Sequence, residues 1–97
     1  MKDIRTQFTA LSDTTNLVYL DSAATALVPE IVLDAMSLYY KKYPANVHRG
    51  LYDMSIEATQ QYEGARKSVA QFIGASPDEV VFTSGTTQGI NMLAVAL

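Results

Sequence analysis

The sequence predicts an α/β fold in which long helices are joined by short apolar strands. Apolar side chains recur at helical spacing over two long segments, 29–43 and 55–73. Two brief apolar runs, 17–20 and 80–82, each lead into turn residues, which is typical of short strands. We therefore expect a helix-rich chain with short strands.

The first long helix is predicted from its ends and from its apolar face. Pro29 suits the first helical position, and Glu30 suits the positive end of the helix dipole. Lys41 and Lys42 suit the negative end, and Pro44 stops the run. One face of this helix carries Val32, Met36, Tyr39 and Tyr43.

Three further helices are predicted. Ser55 is a plausible N-cap for the second long helix, and Gly74 ends its pattern. An apolar helix should begin after Thr87, and the spacing of Ile4, Phe8 and Leu11 predicts a short amphipathic helix near the start. The face of the second long helix carries Tyr62, Ala65, Val69, Phe72 and Ile73.

Composition excludes several classes of function. The chain has 97 residues, a formal charge of -3 and no basic stripe of the kind that nucleic-acid binding requires. It contains no cysteine and a single histidine, which excludes disulfides, a thiol nucleophile within the chain and an imidazole metal cluster. Residues 1–10 contain charges in place of a signal-peptide core, so we expect a cytoplasmic protein with no membrane span.

The segment Gly85-Thr86-Thr87, between a predicted strand and a predicted helix, is a candidate anion site. Backbone N–H groups at a helix start point outward and the dipole favours negative charge, so a phosphate would fit there. A glycine turn followed by a threonine N-cap explains the same residues without a ligand. No lysine follows the glycine as it would in a P-loop.

Two loop segments contain further candidates. His48 and Arg49 lie in a predicted loop, where Arg49 could bind a carboxylate through two hydrogen bonds. A solvated His-Arg pair is the alternative. Ala24 belongs to a run of small residues, 21–26, that would let a ligand approach the backbone closely, although such runs also occur without a functional role.

Four segments, in this order and spacing, resemble the class V aminotransferase-like cysteine desulfurases: Tyr19 to Thr25, Ala45 to Gly50, Ala58 to Arg66, and Phe82 to Asn91. The Asn-Val-His-Arg-Gly segment resembles the sulfur-mobilisation desulfurases and the selenocysteine lyases. Thr83-Ser84 departs from the family, in which many members have an arginine in the second position. That departure leaves the charge of the loop open.

The resemblance implies a fold-type-I enzyme that is dependent on pyridoxal 5'-phosphate and works as a homodimer. Gly85, Thr86 and Thr87 would bind the cofactor phosphate, and Ala24 would line the substrate pocket. His48 and Arg49 would lie at the substrate entrance near the dimer interface. The implied reaction converts L-cysteine to L-alanine and leaves an enzyme persulfide, which a sulfur-acceptor protein takes up for iron-sulfur cluster assembly.

The resemblance also implies that this chain is the N-terminal fragment of such an enzyme and is inactive alone. It has no cysteine nucleophile and no lysine that can be assigned to the cofactor. Residues 1–21 would lie near the small domain, and 55–97 would begin the large cofactor-binding domain. A selenocysteine lyase, a class V aminotransferase and a non-catalytic partner-binding module are the alternatives.

Overall fold

A computed structural model of the chain describes residues 4–12, 14 and 16–97. The helices are a 3₁₀ helix at Ile4–Gln7, α1 at Thr9–Ser12, α2 at Glu30–Lys42, α3 at Asp53–Ile73, a 3₁₀ helix at Pro77–Glu79 and α4 at Thr86–Ala96. No helix in the described ranges is both long and apolar enough to cross a membrane.

The chain divides into two compact units, Met1–Ala58 and Thr59–Leu97, and the boundary falls within α3. The first unit contains α1, α2 and the loops on either side of α2. The second contains most of α3, the second 3₁₀ helix and α4. The placement of 1–21 near a small domain and of 55–97 in a large domain stays a prediction.

The first long helix forms as predicted, with a small correction at its start. Pro29 precedes α2 in an extended conformation and is its N-cap residue, so it is not the first helical residue. Its carbonyl accepts a hydrogen bond from the Val32 N–H at 2.9 Å. At the other end the Tyr43 N–H donates to the Tyr39 carbonyl at 3.0 Å, after Lys41 and Lys42 in the last turn.

The second long helix begins two residues earlier than the predicted cap. The N–H groups of Ser55 and Ile56 both donate to the Tyr52 carbonyl, at 2.9 and 3.1 Å, so Ser55 lies inside the first turn of α3. The helix ends as predicted at Gly74, whose φ of 72° is the left-handed conformation. The Ala75 N–H then donates to the Ala70 carbonyl at 2.9 Å, which completes a Schellman motif.

The amphipathic helix predicted near the start is split into two short helices. The Phe8 N–H donates to the Arg5 carbonyl at 3.1 Å, and the Leu11 N–H donates to the Phe8 carbonyl at 2.9 Å. One-turn helices of this kind are marginal without packing. The Arg5 guanidinium donates to the carbonyls of Thr14 and Leu17, and these hydrogen bonds tie the segment to the chain that follows.

The two predicted strands are not confirmed: no strand is present among the described residues. A strand needs a neighbour to pair its backbone N–H and C=O groups. Val80 has the extended dihedral angles of a strand residue, φ -102° and ψ 119°, but no ladder joins it to another segment of the described chain. Segments 17–20 and 80–82 are therefore non-helical and unpaired within it.

The apolar side chains that are buried in the described residues are small: Ala45, Ala58, Ala70 and Val80. Larger apolar side chains are exposed on both long helices and on α4, where Val95 is 90% exposed. The apolar C-terminal helix forms as predicted, but little of its surface is covered.

The turn Ser76–Glu79 contains a carboxyl group, that of Glu79, whose pKa is lowered by its hydrogen bonds. The Glu79 carboxylate accepts hydrogen bonds from the backbone N–H and the hydroxyl of Ser76, both at 2.8 Å, and these donors lower the pKa of Glu79. The capping interaction therefore contributes to stability above the ordinary glutamate pKa and is lost as the pH falls through the lowered value.

We expect Ser76→Ala to raise the pKa of Glu79 toward its ordinary value without reaching it, since the backbone donor remains. An NMR titration of the Glu79 carboxyl carbon measures this shift. Ser68→Ala is the control, because the Ser68 hydroxyl donates to the Gly64 carbonyl within α3. An unchanged Glu79 pKa in Ser76→Ala would contradict the assignment.

Candidate functional site

The loop before α4 is held by its own side chains. Gly85 is the N-cap residue, with φ 155° and ψ 177°. The Ser84 N–H and the Ser84 hydroxyl both donate to the side-chain oxygen of Gln88, at 2.6 and 2.9 Å. The Thr83 hydroxyl donates to the Gly85 carbonyl at 3.2 Å. These hydrogen bonds fix the backbone on both sides of Gly85.

Thr86 and Thr87 are the first two residues of α4, and both are exposed. The Gly89 N–H makes the first helical hydrogen bond, to the Gly85 carbonyl at 3.1 Å, so the N–H groups of Thr86, Thr87 and Gln88 take no part in the helical ladder. The alternative of a threonine N-cap is wrong, because the cap residue is Gly85.

This donor set fits a phosphate. Backbone N–H groups and two threonine hydroxyls lie at the positive end of an 11-residue helix, where negative charge is favoured. An open groove of about 690 Å³ borders the loop and extends along the helix from Ser84 and Thr87 to Ala96. No cluster of residues in the described ranges is suited to hold a metal ion.

The segment that leads into this loop is attached to α3 through Arg66. The guanidinium donates to the Val80 carbonyl through Nη1, and its Nε lies 3.2 Å from a carboxylate oxygen of Glu63. The rings of Tyr62 and Phe82 lie 5.2 and 5.5 Å from the guanidinium carbon, and they contact each other edge to face at 5.3 Å. We call these four side chains the Arg66 cluster.

The loop that carries His48 and Arg49 is held from α3 by a buried hydroxyl. Ser55 is fully buried, and its hydroxyl donates to the Asn46 carbonyl at 2.8 Å. His48 has a φ of 63°, a left-handed conformation that is uncommon outside glycine. Both His48 and Arg49 are exposed, so the loop presents the imidazole and the guanidinium to solvent.

Gly50 lets the chain pass close to α3. A Cβ atom at this position would lie 2.7 Å from the Ser55 Cβ and 2.5 Å from the Tyr52 Cε1, which is too close for any side chain. The sequence suggested a capping role for Ser55, and it did not reveal the hydrogen bond from Ser55 to Asn46 or the close approach of Gly50 to Ser55. The glycine that directly follows His48 and Arg49 is the signal that could have found this close approach.

Ala24 lies in an exposed turn. The N–H groups of Ala24 and Thr25 both donate to the Asp21 carbonyl at 3.1 Å, and the Tyr19 hydroxyl donates to the Thr25 carbonyl. A cavity of about 330 Å³ beside this turn is lined by Phe8, Leu11, Tyr19, Ser22, Ala26 and Leu27.

The predicted site residues lie in three separate places in the structure. Gly85, Thr86 and Thr87 form one group at the start of α4 in the second unit. His48 and Arg49 are adjacent in a loop of the first unit, and Ala24 lies in a separate turn of that unit. The roles of these residues toward cofactor and substrate stay predictions.

Residues 18–97 match the profile of the Aminotransferase class-V family. The chain belongs to this family. Other members are similar along nearly the whole chain: a probable cysteine desulfurase of Vibrio cholerae is 52% identical over 94% of the chain, and a cysteine desulfurase of Haloferax volcanii is 52% identical over 97% of it. The match includes the loop before α4 and the loop that carries His48.

The chain spans 24% of the length of the Vibrio cholerae relative and 22% of that of the Haloferax volcanii relative. The apo structure of a cysteine desulfurase from Thermococcus onnurineus superposes with a TM-score of 0.85 at 44% identity. That match covers 95% of this chain and 22% of the desulfurase. The class V chain therefore has the backbone fold of the matching part of a desulfurase.

We expect Ser55→Ala to lower the free energy of unfolding by about 1–2 kcal/mol, because it leaves the Asn46 carbonyl without its buried donor. Urea denaturation measures the loss, and faster hydrogen exchange in residues 46–50 locates it. Ser68→Ala, at an exposed position on the same helix, should change the free energy by about 0.5 kcal/mol or less. Equal effects of the two variants would count against the role of Ser55.

Proposed function

We propose that this chain is part of a pyridoxal-phosphate-dependent cysteine desulfurase and supplies its cofactor-phosphate loop. The proposed enzyme removes sulfur from L-cysteine, gives L-alanine, and passes the sulfur through an enzyme persulfide to an acceptor protein for iron-sulfur cluster assembly. The observation that carries the proposal is the anion-binding geometry of Gly85, Thr86 and Thr87 in a class V chain that is 52% identical to named desulfurases.

Pyridoxal phosphate, when bound, supplies an electron sink for reactions at an amino acid. The role of this chain is to bind its phosphate. The N–H groups of Thr86 and Thr87 and their hydroxyls would donate to the phosphate oxygens, and the dipole of α4 would stabilise the negative charge. The hydrogen bonds from Ser84 to Gln88 hold the loop ready for the anion, which reduces the cost of ordering it on binding.

The loop of the first unit is proposed to act on the substrate. Arg49 has the planar donor fork that binds a carboxylate, the group that every amino-acid substrate carries. His48 would line the substrate entrance near a homodimer interface, and Ala24 would line the pocket wall without obstructing it. The left-handed conformation of His48 and the hydrogen bond from Ser55 to Asn46 fix the path of the loop.

The proposed reaction also needs groups that are outside this chain. The sequence has no cysteine to act as the thiolate nucleophile. Lys41, Lys42 and Lys67 are exposed on α2 and α3, which does not suit a lysine that holds a cofactor. The activity is therefore proposed for the full-length fold-type-I enzyme. In that enzyme, segment 80–82 would pair with other strands of a parallel sheet. The proposed location is the cytoplasm.

The full-length enzyme should release alanine and sulfide from L-cysteine in the presence of a thiol reductant. Thr86→Val with Thr87→Val removes two hydroxyl donors while keeping the shape, so we expect pyridoxal phosphate to bind roughly tenfold more weakly. A spectroscopic titration of the apoenzyme measures the dissociation constant. The control is Thr14→Val, an exposed position in the other unit.

The products separate this proposal from its alternatives. Selenide from selenocysteine with no sulfide from cysteine would identify a selenocysteine lyase. Transfer of the amino group to a keto acid would identify an aminotransferase. A full-length protein that binds no pyridoxal phosphate would support a non-catalytic module and overturn the proposal.

A further inference from the structure

The Arg66 cluster connects α3 to the segment that precedes the phosphate loop. On that segment, the Arg66 guanidinium contacts the Val80 carbonyl and the Phe82 ring. Gly85, the N-cap residue of α4, follows Phe82 by three residues. Three extended residues span at most about 10 Å, so the attachment point is close to the start of α4 along the chain.

The geometry of the cluster uses the properties of arginine. A planar guanidinium can donate in two directions in its plane and contact aromatic rings with its faces. Here Nη1 donates to the Val80 carbonyl, Nε is paired with Glu63 at 3.2 Å, and the rings of Tyr62 and Phe82 lie within 5.5 Å. The Arg66 side chain is 21% exposed, so water covers little of these contacts.

The carbonyl that Arg66 binds belongs to a segment that has no strand partner in the described chain. Val80 itself is buried, but the flanking Val81 is 62% exposed. The hydrogen bond to the Val80 carbonyl and the contacts of the Phe82 ring with Tyr62 and Arg66 attach 80–82 to α3. The Arg66 guanidinium therefore takes part in this attachment at two points, the Val80 carbonyl and the Phe82 ring.

We propose that Arg66 is a positioning residue for the cofactor phosphate: by fixing Val80 and Phe82 against α3, it sets where the N–H groups of Thr86 and Thr87 point. This inference rests on the proposed function and adds to it. The Arg66 guanidinium is engaged by Glu63, Val80 and the two rings, so its contribution to phosphate binding would pass through the loop. It should therefore affect ligands that carry a phosphate and spare those that do not.

The test compares Arg66→Met and Arg66→Lys with Lys67→Met, an adjacent exposed position on the same helix, in the full-length apoenzyme. Dissociation constants are measured for pyridoxal phosphate and for pyridoxal, which lacks the phosphate. We expect Arg66→Met to weaken pyridoxal phosphate binding roughly tenfold and pyridoxal binding less than about twofold, because misplaced donors cost affinity only for the group that they contact. Lys67→Met should match the wild type.

Arg66→Lys separates geometry from charge. A lysine keeps the positive charge but cannot donate to the Val80 carbonyl and pair with Glu63 in one plane. We expect it to recover less than half of the lost affinity, on a logarithmic scale. Full recovery by lysine, or equal loss for pyridoxal and pyridoxal phosphate in Arg66→Met, would overturn the positioning role.

A second measurement does not depend on the cofactor. In the apoenzyme, amide hydrogen exchange in residues 83–88 should be roughly tenfold faster in Arg66→Met than in Lys67→Met, since a loop without its attachment opens more often. Unchanged exchange would overturn the inference even if the wild type binds pyridoxal phosphate. Faster exchange in Arg66→Met, combined with no binding of pyridoxal phosphate by the wild type, would overturn the proposed function but would still support the attachment of the loop to α3.

Discussion

Hydrogen bonds from side chains to loop carbonyls are the interaction on which the ordered loops of this chain depend. Ser55 and Arg66, both on α3, bind the carbonyls of Asn46 and Val80, while Arg5 binds that of Leu17. The buried apolar side chains in the described chain are small, so packing alone provides little to hold these segments. A carbonyl bound by a side-chain donor keeps a loop in place where neither a sheet ladder nor a large core does so.

The same physical reason explains why α3 matters to a candidate loop in each unit. α3 has 21 residues and a length of about 30 Å, and its donors fix one loop within each unit. Ser55 fixes the segment that contains His48 and Arg49, and Arg66 fixes the segment that leads to Gly85. Each loop then presents exposed groups suited to an anion: a guanidinium in the first and helix N–H groups in the second.

The candidate site was predictable from sequence to the extent that local chemistry determines it. A glycine followed by two threonines ahead of an apolar run predicted a helix beginning after Thr87, and α4 is present but begins at Thr86, with Gly85 as its N-cap residue. The prediction that Ser55 caps α3 was wrong, because Ser55 lies inside the first turn of the helix. Serine is favoured at caps and also at buried contacts with loop carbonyls, and only the fold shows that Asn46 lies within reach of its hydroxyl.

The sequence by itself determined the helices, because periodic apolar faces and terminal residues such as Gly74 act over a few neighbouring residues. It also determined membership of the class V family, since the order and spacing of the short motifs are properties of the sequence alone. The tertiary structure decided the contacts between residues distant in sequence: the donor that Val80 receives from Arg66, and the space that excludes a Cβ at Gly50. It also decided the absence of strands from the described residues, because a strand requires a partner and an apolar run alone does not provide one.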